Sequence, residues 1–231
     1  MILFKNNGKP YSSKMIRNKI DGFGNSYNNA VKDIINLSNN LDQDGILFIR
    51  CAARILTNFK MTRRGPFEGV KISKNGHVTG GKILKKCWEE IGKEIFEIKS
   101  KIIKTGPVPG RFLLNLDDKD REKIIQKIWK NTKKILPYTM GETTYGLVGA
   151  SKILFSVLPE IVLPVDNRQW LQVFQTVDLG DVIREMIKEI ELWEKSTGKR
   201  LDLIDQQQRL TTLPSVYNVM AMNARPQNRK I

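Results

Sequence analysis

The apolar positions of this chain recur mostly at helical spacing. Between Lys82 and Lys104, Ile83, Leu84, Cys87, Trp88, Ile91, Ile95, Ile98 and Ile102 form one stripe in an otherwise charged stretch, the pattern of an amphipathic helix lying on a core. The same period predicts helices over about 26–40 (Val31, Ile34, Ile35, Leu37), 45–59 (Leu47, Phe48, Cys51, Ile55, Leu56) and 118–135 (Ile124, Ile125, Ile128, Trp129, Ile135). Asn25 or Ser26, Asp44, and Asp117 or Asp118 are the expected N-caps, because a short side-chain oxygen can accept from the free amides of a first turn. Farther along, 143–157 has apolar or small residues on nearly every side and predicts a deeply packed helix ended by Pro159. A short helix over 168–174 follows, capped by Asp166 or Asn167, then helices over 181–195 (opened by Asp178 or Asp181) and 211–222, and a basic, frayed tail to Ile231. The expected fold class is all-α, a multi-helix globular protein. Two breaks interrupt it. The stretch 62–81 is basic, carries five glycines and predicts a small hairpin or a mobile loop, and Gly106-Pro107-Val108-Pro109-Gly110 predicts a rigid turn.

Charge sharpens this picture. The 231 residues hold 39 Lys+Arg against 24 Asp+Glu, a formal +15. Residues 1–140 hold 28 basic and 13 acidic side chains, whereas 141–231 hold 11 of each, so the whole excess lies in the front of the chain. That asymmetry suggests a basic helical lobe over 1–116 and a second helical lobe over 117–231, completing one compact protein. It also predicts a polyanionic partner, nucleic acid before membrane; the alternative is a lysine-rich solvated coat. No apolar run approaches the roughly 18 residues of a membrane span, and Met1-Ile2-Leu3-Phe4-Lys5 is too short and too soon polar for a signal peptide. Cys51 and Cys87 stand singly in apolar helical patterns and read as buried thiols in a reducing, cytoplasmic setting. With His77 as the only histidine, no zinc finger or His-rich metal site can be built, and the expectation is a monomer with no cofactor and no metal.

One charged pair stands out in the neutral part. Lys152 is the only charge between Thr143 and Leu158, and Asp166 follows an apolar run, Ile161 to Val165, at the expected start of a helix. Partly enclosed ionisable groups of opposite sign are candidates for catalysis. The plainer alternative makes Asp166 a helix cap and Lys152 a surface-reaching side chain.

The segment from Gly146-Leu147-Val148-Gly149-Ala150-Ser151-Lys152 through Leu163-Pro164-Val165-Asp166-Asn167-Arg168-Gln169-Trp170 resembles the core of helix-hairpin-helix DNA glycosylases. The resemblance covers roughly residues 120–195. It implies a glycosylase-like helical fold and double-stranded DNA as partner, with a base flipped out of the stack. It also implies that Asp166 stabilises the cationic sugar and that Lys152 is the counterpart of the lysine with which bifunctional members attack the sugar carbon. Asn167 and Arg168 would then lie at the substrate. The chain departs from the family pattern in three ways: Gly146 and Gly149 are three apart rather than two, Leu136-Pro137 lies well upstream, and Lys152 stands about one helical turn nearer its aspartate.

Such chemistry suits this composition. Breaking an N-glycosidic bond develops positive charge on the sugar, which one enclosed carboxylate can stabilise. A flipped base needs an aromatic pocket, for which Trp170, Tyr145, Phe155, Phe174 and Tyr217 are candidates, each equally readable as core. Backbone contacts are expected from Arg63, Arg64 and Arg111, in loops beside glycine, and from the lysines of two helices, notably Lys85, Lys86, Lys127, Lys130 and Lys134. Lys93, Lys99, Lys101 and Lys104 belong to the same basic helix. Two rivals remain open. A metal-dependent nuclease would use Asp117, Asp118, Asp120 and Glu122 or the Glu97-Ile98-Lys99 motif, and a non-enzymatic nucleic-acid-binding protein would use the basic surface alone.

Overall fold

The computed structural model describes residues 1–105, 109–205 and 212–224. Eight α-helices are present among them: α1 Ser13–Asp21, α2 Asn25–Ser38, α3 Ile46–Asn58, α4 Lys82–Lys104, α5 Asp118–Ile135, α6 Thr144–Val157, α7 Leu179–Thr197 and α8 Leu213–Asn223. The chain is mostly helical, as the apolar period indicates. In the first break, β1 (Lys71–Ile72) and β2 (Val78–Thr79) pair antiparallel to make the small hairpin. Of the second break, residues 106–108 lie outside the described residues, and Pro109 and Gly110 open a tight helical run over Pro109–Asn115. The expected tail beyond Ala224 also lies outside them.

Helices α4 and α5 have the bounds their stripes predict. Their apolar faces are buried, Leu84, Cys87, Ile91, Ile95, Ile98 and Ile102 on α4 and Ile124, Ile125, Ile128 and Ile135 on α5. Asp117 caps α5 by accepting from the Asp120 amide, and Asp178 caps α7 by accepting from Gly180 and Asp181. Two expected caps are corrected. Gly24 (φ 106°) precedes α2 and left-handed Gly45 precedes α3, neither start having a side-chain cap. In place of Asp44, Asp42 reaches the Leu47 amide at 3.4 Å. Helix α1 is an addition to the expected set, capped by Ser12 and burying only Ile16 and Ile20.

Helix α6 is the centre of the molecule. Every residue from Gly146 to Val157 is buried, as expected of a helix that is apolar all round. It packs against α2, α3 and α5. One continuous hydrophobic core includes side chains from both the 1–116 and the 117–231 segments. The ends of the chain are tied across it: the Leu3 amide donates to Glu189 at 2.5 Å, and Trp193 Nε1 donates to the Tyr11 carbonyl at 2.9 Å. Among the described residues, no helix is long and apolar enough to cross a membrane.

The start of α6 depends on glycine for space. A Cβ on Gly146 would collide with the carbonyl of Gly141, and one on Gly149 would press on Phe67 and Thr139 at 3.0 Å. The Gly141 turn cannot easily retreat, since its amide is hydrogen-bonded to the Leu136 carbonyl at 2.8 Å. Gly146→Ala is therefore expected to destabilise the protein by about 1–3 kcal/mol through overpacking. Urea unfolding should show a lower midpoint at unchanged slope.

Candidate active site

Three segments place the charged pair. Lys152 lies on the third turn of α6, its side chain directed at the residue that follows α3. Its Nζ sits 4.4 Å from the centroid of the Phe59 ring, a cation–π contact. Only 5% of Lys152 is exposed, and burial pushes its pKa down to about 8, opposed by the nearby Asp166 carboxylate. About a tenth of this amine is thus unprotonated at pH 7, against well under a thousandth for an ordinary surface lysine.

Asp166 is brought alongside by the apolar run that precedes it. Ser151, adjacent to Lys152, donates through Oγ to the Val165 carbonyl at 3.2 Å. Asp166 Oδ1 accepts from the Gln169 amide at 2.8 Å, while Gln169 Oε1 accepts from the Asp166 amide at 2.7 Å. This reciprocal pair is a capping box. The turn it opens is a wide π-type helix over Gln169–Phe174 rather than a regular α-helix. Such turns are rare and often accompany function.

Gln169 links the acid back to the aromatic side of the site. Its Nε2 donates to Asn218 Oδ1 at 3.0 Å, and Asn218 Nδ2 donates to the Tyr27 hydroxyl at 3.0 Å. Tyr27 packs edge-on against Phe59 with centroids 6.0 Å apart, and burial raises the pKa of its phenol. A chain of contacts therefore runs Lys152, Phe59, Tyr27, Asn218, Gln169 and Asp166, whose charge acts back on the amine. Four of its members, Tyr27, Phe59, Gln169 and Asn218, are additions to the expected site. Gln169 had a local signal, the Asp-x-x-Gln capping spacing. The Asn218–Tyr27 hydrogen bond spans 191 residues and has no counterpart in local sequence.

Other expected site residues separate into three groups. Arg63, Arg64, Lys85, Lys86, Lys127, Lys130 and Arg168 are exposed, as surface contacts require. Asn167 is half-buried, and its Oδ1 is enclosed with no hydrogen-bond partner among the described residues. Tyr145 is 60% exposed, on the same face of α6 as Lys152 but two turns earlier.

The third group is corrected. Trp170 is 1% exposed inside the core, so it offers no face for a base. Arg111 forks onto Glu194 at 2.8 and 2.9 Å and reaches Asp202 at 2.7 Å. These carboxylates hold its pKa well above the usual arginine value, and the residue clamps α7 to the turn after it instead of meeting phosphate. Lys134 bonds Glu94 at 2.6 Å across α4 and α5. Lys99 is fully buried, paired with Glu160 at 2.7 Å. Among the aromatic candidates, Phe155 and Tyr217 are also core.

The acidic cluster at the start of α5 is engaged in local structure. Asp117 is a cap, Asp120 pairs with Lys123, Asp118 with Arg121 and Glu122 with Arg184. Glu97 and Lys99 lie on a helix, and their side chains separate, Glu97 being exposed and Lys99 buried.

Comparison of the chain with family models, with curated proteins and with solved structures found no match.

Proposed function

We propose that the protein is a DNA-binding base-excision enzyme, an N-glycosylase with strand-lyase capability, in which Lys152 is the nucleophile and Asp166 the acid that stabilises charge. The observation that carries this reading is the Lys152 amine, buried, with its pKa lowered to about 8, under the influence of the Asp166 carboxylate. Desolvation is one of the ways in which a lysine becomes a nucleophile. The free amine would attack the sugar C1′; the C1′–N bond breaks, and the base leaves with its electron pair and gains a proton. Asp166 stabilises positive charge on the sugar as that bond lengthens and takes the proton lost from Nζ. Ring opening then leaves a C=N bond between Nζ and C1′, from which strand cleavage by elimination can proceed.

The exposed cations at Lys60, Arg63 and Arg64, directly after Phe59, suit a backbone grip beside the amine. Because Phe59 covers Nζ, the side chain must swing off the ring before it can reach a flipped sugar. The same cover favours a second reading, a nucleic-acid-binding protein without catalysis, in which Lys152 is a buried structural cation.

Borohydride trapping separates the two. On a duplex with an abasic site, reduction of the C=N bond should leave a covalent protein–DNA adduct, absent with Lys152→Gln. Binding without any adduct would support the non-catalytic reading, and an adduct that survives Lys152→Gln would remove Lys152 from the chemistry.

A further inference from the structure

Beside the candidate active site, the arm over 60–67 faces the turn between α5 and α6 across a cavity of about 380 Å³. Lys60, Arg63 and Arg64 line one side, while Phe67, Met140 and Tyr145 contribute apolar surface. Neither Lys152 nor Asp166 is part of its lining. Three features set this place apart. First, the three cations are exposed and make no ion pair among the described residues. Second, two large apolar side chains are left facing solvent there, Tyr145 at 60% and Met140 at 54% exposure. Third, the backbone is held in the left-handed region on both sides, at Lys60 (φ 59°) and Gly65 (φ 74°) on the arm and at Met140 (φ 90°) and Gly141 (φ 69°) on the turn. Non-glycine residues rarely adopt that conformation, and it gathers where loops are shaped for binding.

A flat aromatic face beside a cluster of unpaired cations complements a flat base joined to a phosphate. The volume lies within the roughly 300–1,000 Å³ of small-ligand sites. We infer that this cavity binds one unpaired nucleotide of a single-stranded or locally opened nucleic acid, its base stacked on Tyr145 and its phosphate held by Arg63 and Arg64. Unpaired bases are required because only they offer a free face for stacking. Tyr145 and Lys152 are seven residues apart on α6, about 10 Å along the axis, so the cavity holds a nucleotide beside the amine and not the one under attack. The sequence assigned Tyr145 to the flipped base; the cavity gives it a separate ligand. The inference shares the nucleic-acid part of the preceding reading and does not depend on excision.

The test is a titration of a short oligothymidine, followed by fluorescence anisotropy. Tyr145→Ala should weaken binding about ten-fold, and Tyr145→Phe should bind as the native protein does, because stacking needs the ring and not the hydroxyl. Since Tyr145 is mostly exposed, neither change opens the core. The double variant Arg63→Ala/Arg64→Ala should also reduce the slope of log affinity against log salt by about 1.4. Native-like affinity of Tyr145→Ala, an equal loss in Tyr145→Phe, or no binding of the oligothymidine by the native protein would overturn the pocket. The adduct assay on abasic duplex reads the other proposal separately. Tyr145-dependent binding without an adduct removes excision and keeps the pocket, whereas a Lys152-dependent adduct with Tyr145-independent affinity does the reverse.

Discussion

Glu160→Ala is expected to lower the stability of the protein by about 3–5 kcal/mol, the cost of leaving a buried charge without its partner. Glu160 Oε1 accepts from Lys99 Nζ at 2.7 Å, and the same amine donates to Ser38 Oγ at 2.9 Å. Both charged side chains are sealed, at 1% and 0% exposure, so water cannot replace the lost partner. The three residues join the C-terminal third of α4, the last residue of α2 and the turn after α6. Glu160 Oε2 is buried with no hydrogen-bond partner among the described residues, which makes the carboxylate a costly group to retain. Replacing both charges, as in Lys99→Met/Glu160→Leu, should therefore recover most of the loss. Urea unfolding of the three proteins measures this, and the single variant should melt roughly 10 °C lower. A single variant within about 1 kcal/mol of native, below the range for a broken buried pair, would show that the pair is better solvated than its geometry states.

Asp166→Asn is expected to slow adduct formation on an abasic duplex by about a hundred-fold, the loss of the carboxylate that takes the proton from Nζ as the amine adds to the sugar carbon. Its pH dependence distinguishes that role from a structural one. The free amine reacts, so the native rate should rise with pH and level off above about 8, the value to which burial brings Lys152. The carboxylate raises that value. Removing its charge takes away the favourable partner of the ammonium form, so the midpoint should move to lower pH while the plateau falls. A lower plateau with an unmoved midpoint would reduce Asp166 to a cap of the helical turn. The same shift fixes the sign of a stability effect. The folded amine releases its proton at about 8 and the unfolded one near 10.5. Between those values the unfolded chain binds more protons, and stability contributed through this group rises with pH.

The site was partly legible because its two charges are anomalies in their own surroundings. Lys152 interrupts an uncharged helix, and Asp166 closes an apolar run. Gln169 was legible in principle from its distance to Asp166. Lys99 was legible too: it falls with Ile95, Ile98 and Ile102 on the buried stripe of α4, at the spacing that defines a helix face. Counting it as one more surface lysine ignored its phase. Helix α1 escaped because a nine-residue segment with two buried apolar positions gives too few periods to detect. The cap errors before α2 and α3 share a cause, since Gly24 and Gly45, which turn the chain through positive φ, occupy the cap positions themselves.

By itself, the sequence determined the helical class, the bounds of α4 and α5, the break at 62–81, and the front-loaded excess of positive charge. Each follows from the order of neighbouring residues, through apolar period, glycine content or a count. The tertiary structure alone decided which charges face solvent and which are paired. Arg111 with Glu194, Lys134 with Glu94 and Lys99 with Glu160 join residues 83, 40 and 61 positions apart. It also decided that Phe59 covers the Lys152 amine and that Trp170 lies inside the core while Tyr145 faces solvent. The physical reason is common to all of them. Burial and charge pairing depend on which elements the core brings into contact, and the local pattern of a helix fixes which face is buried without naming what lies against it.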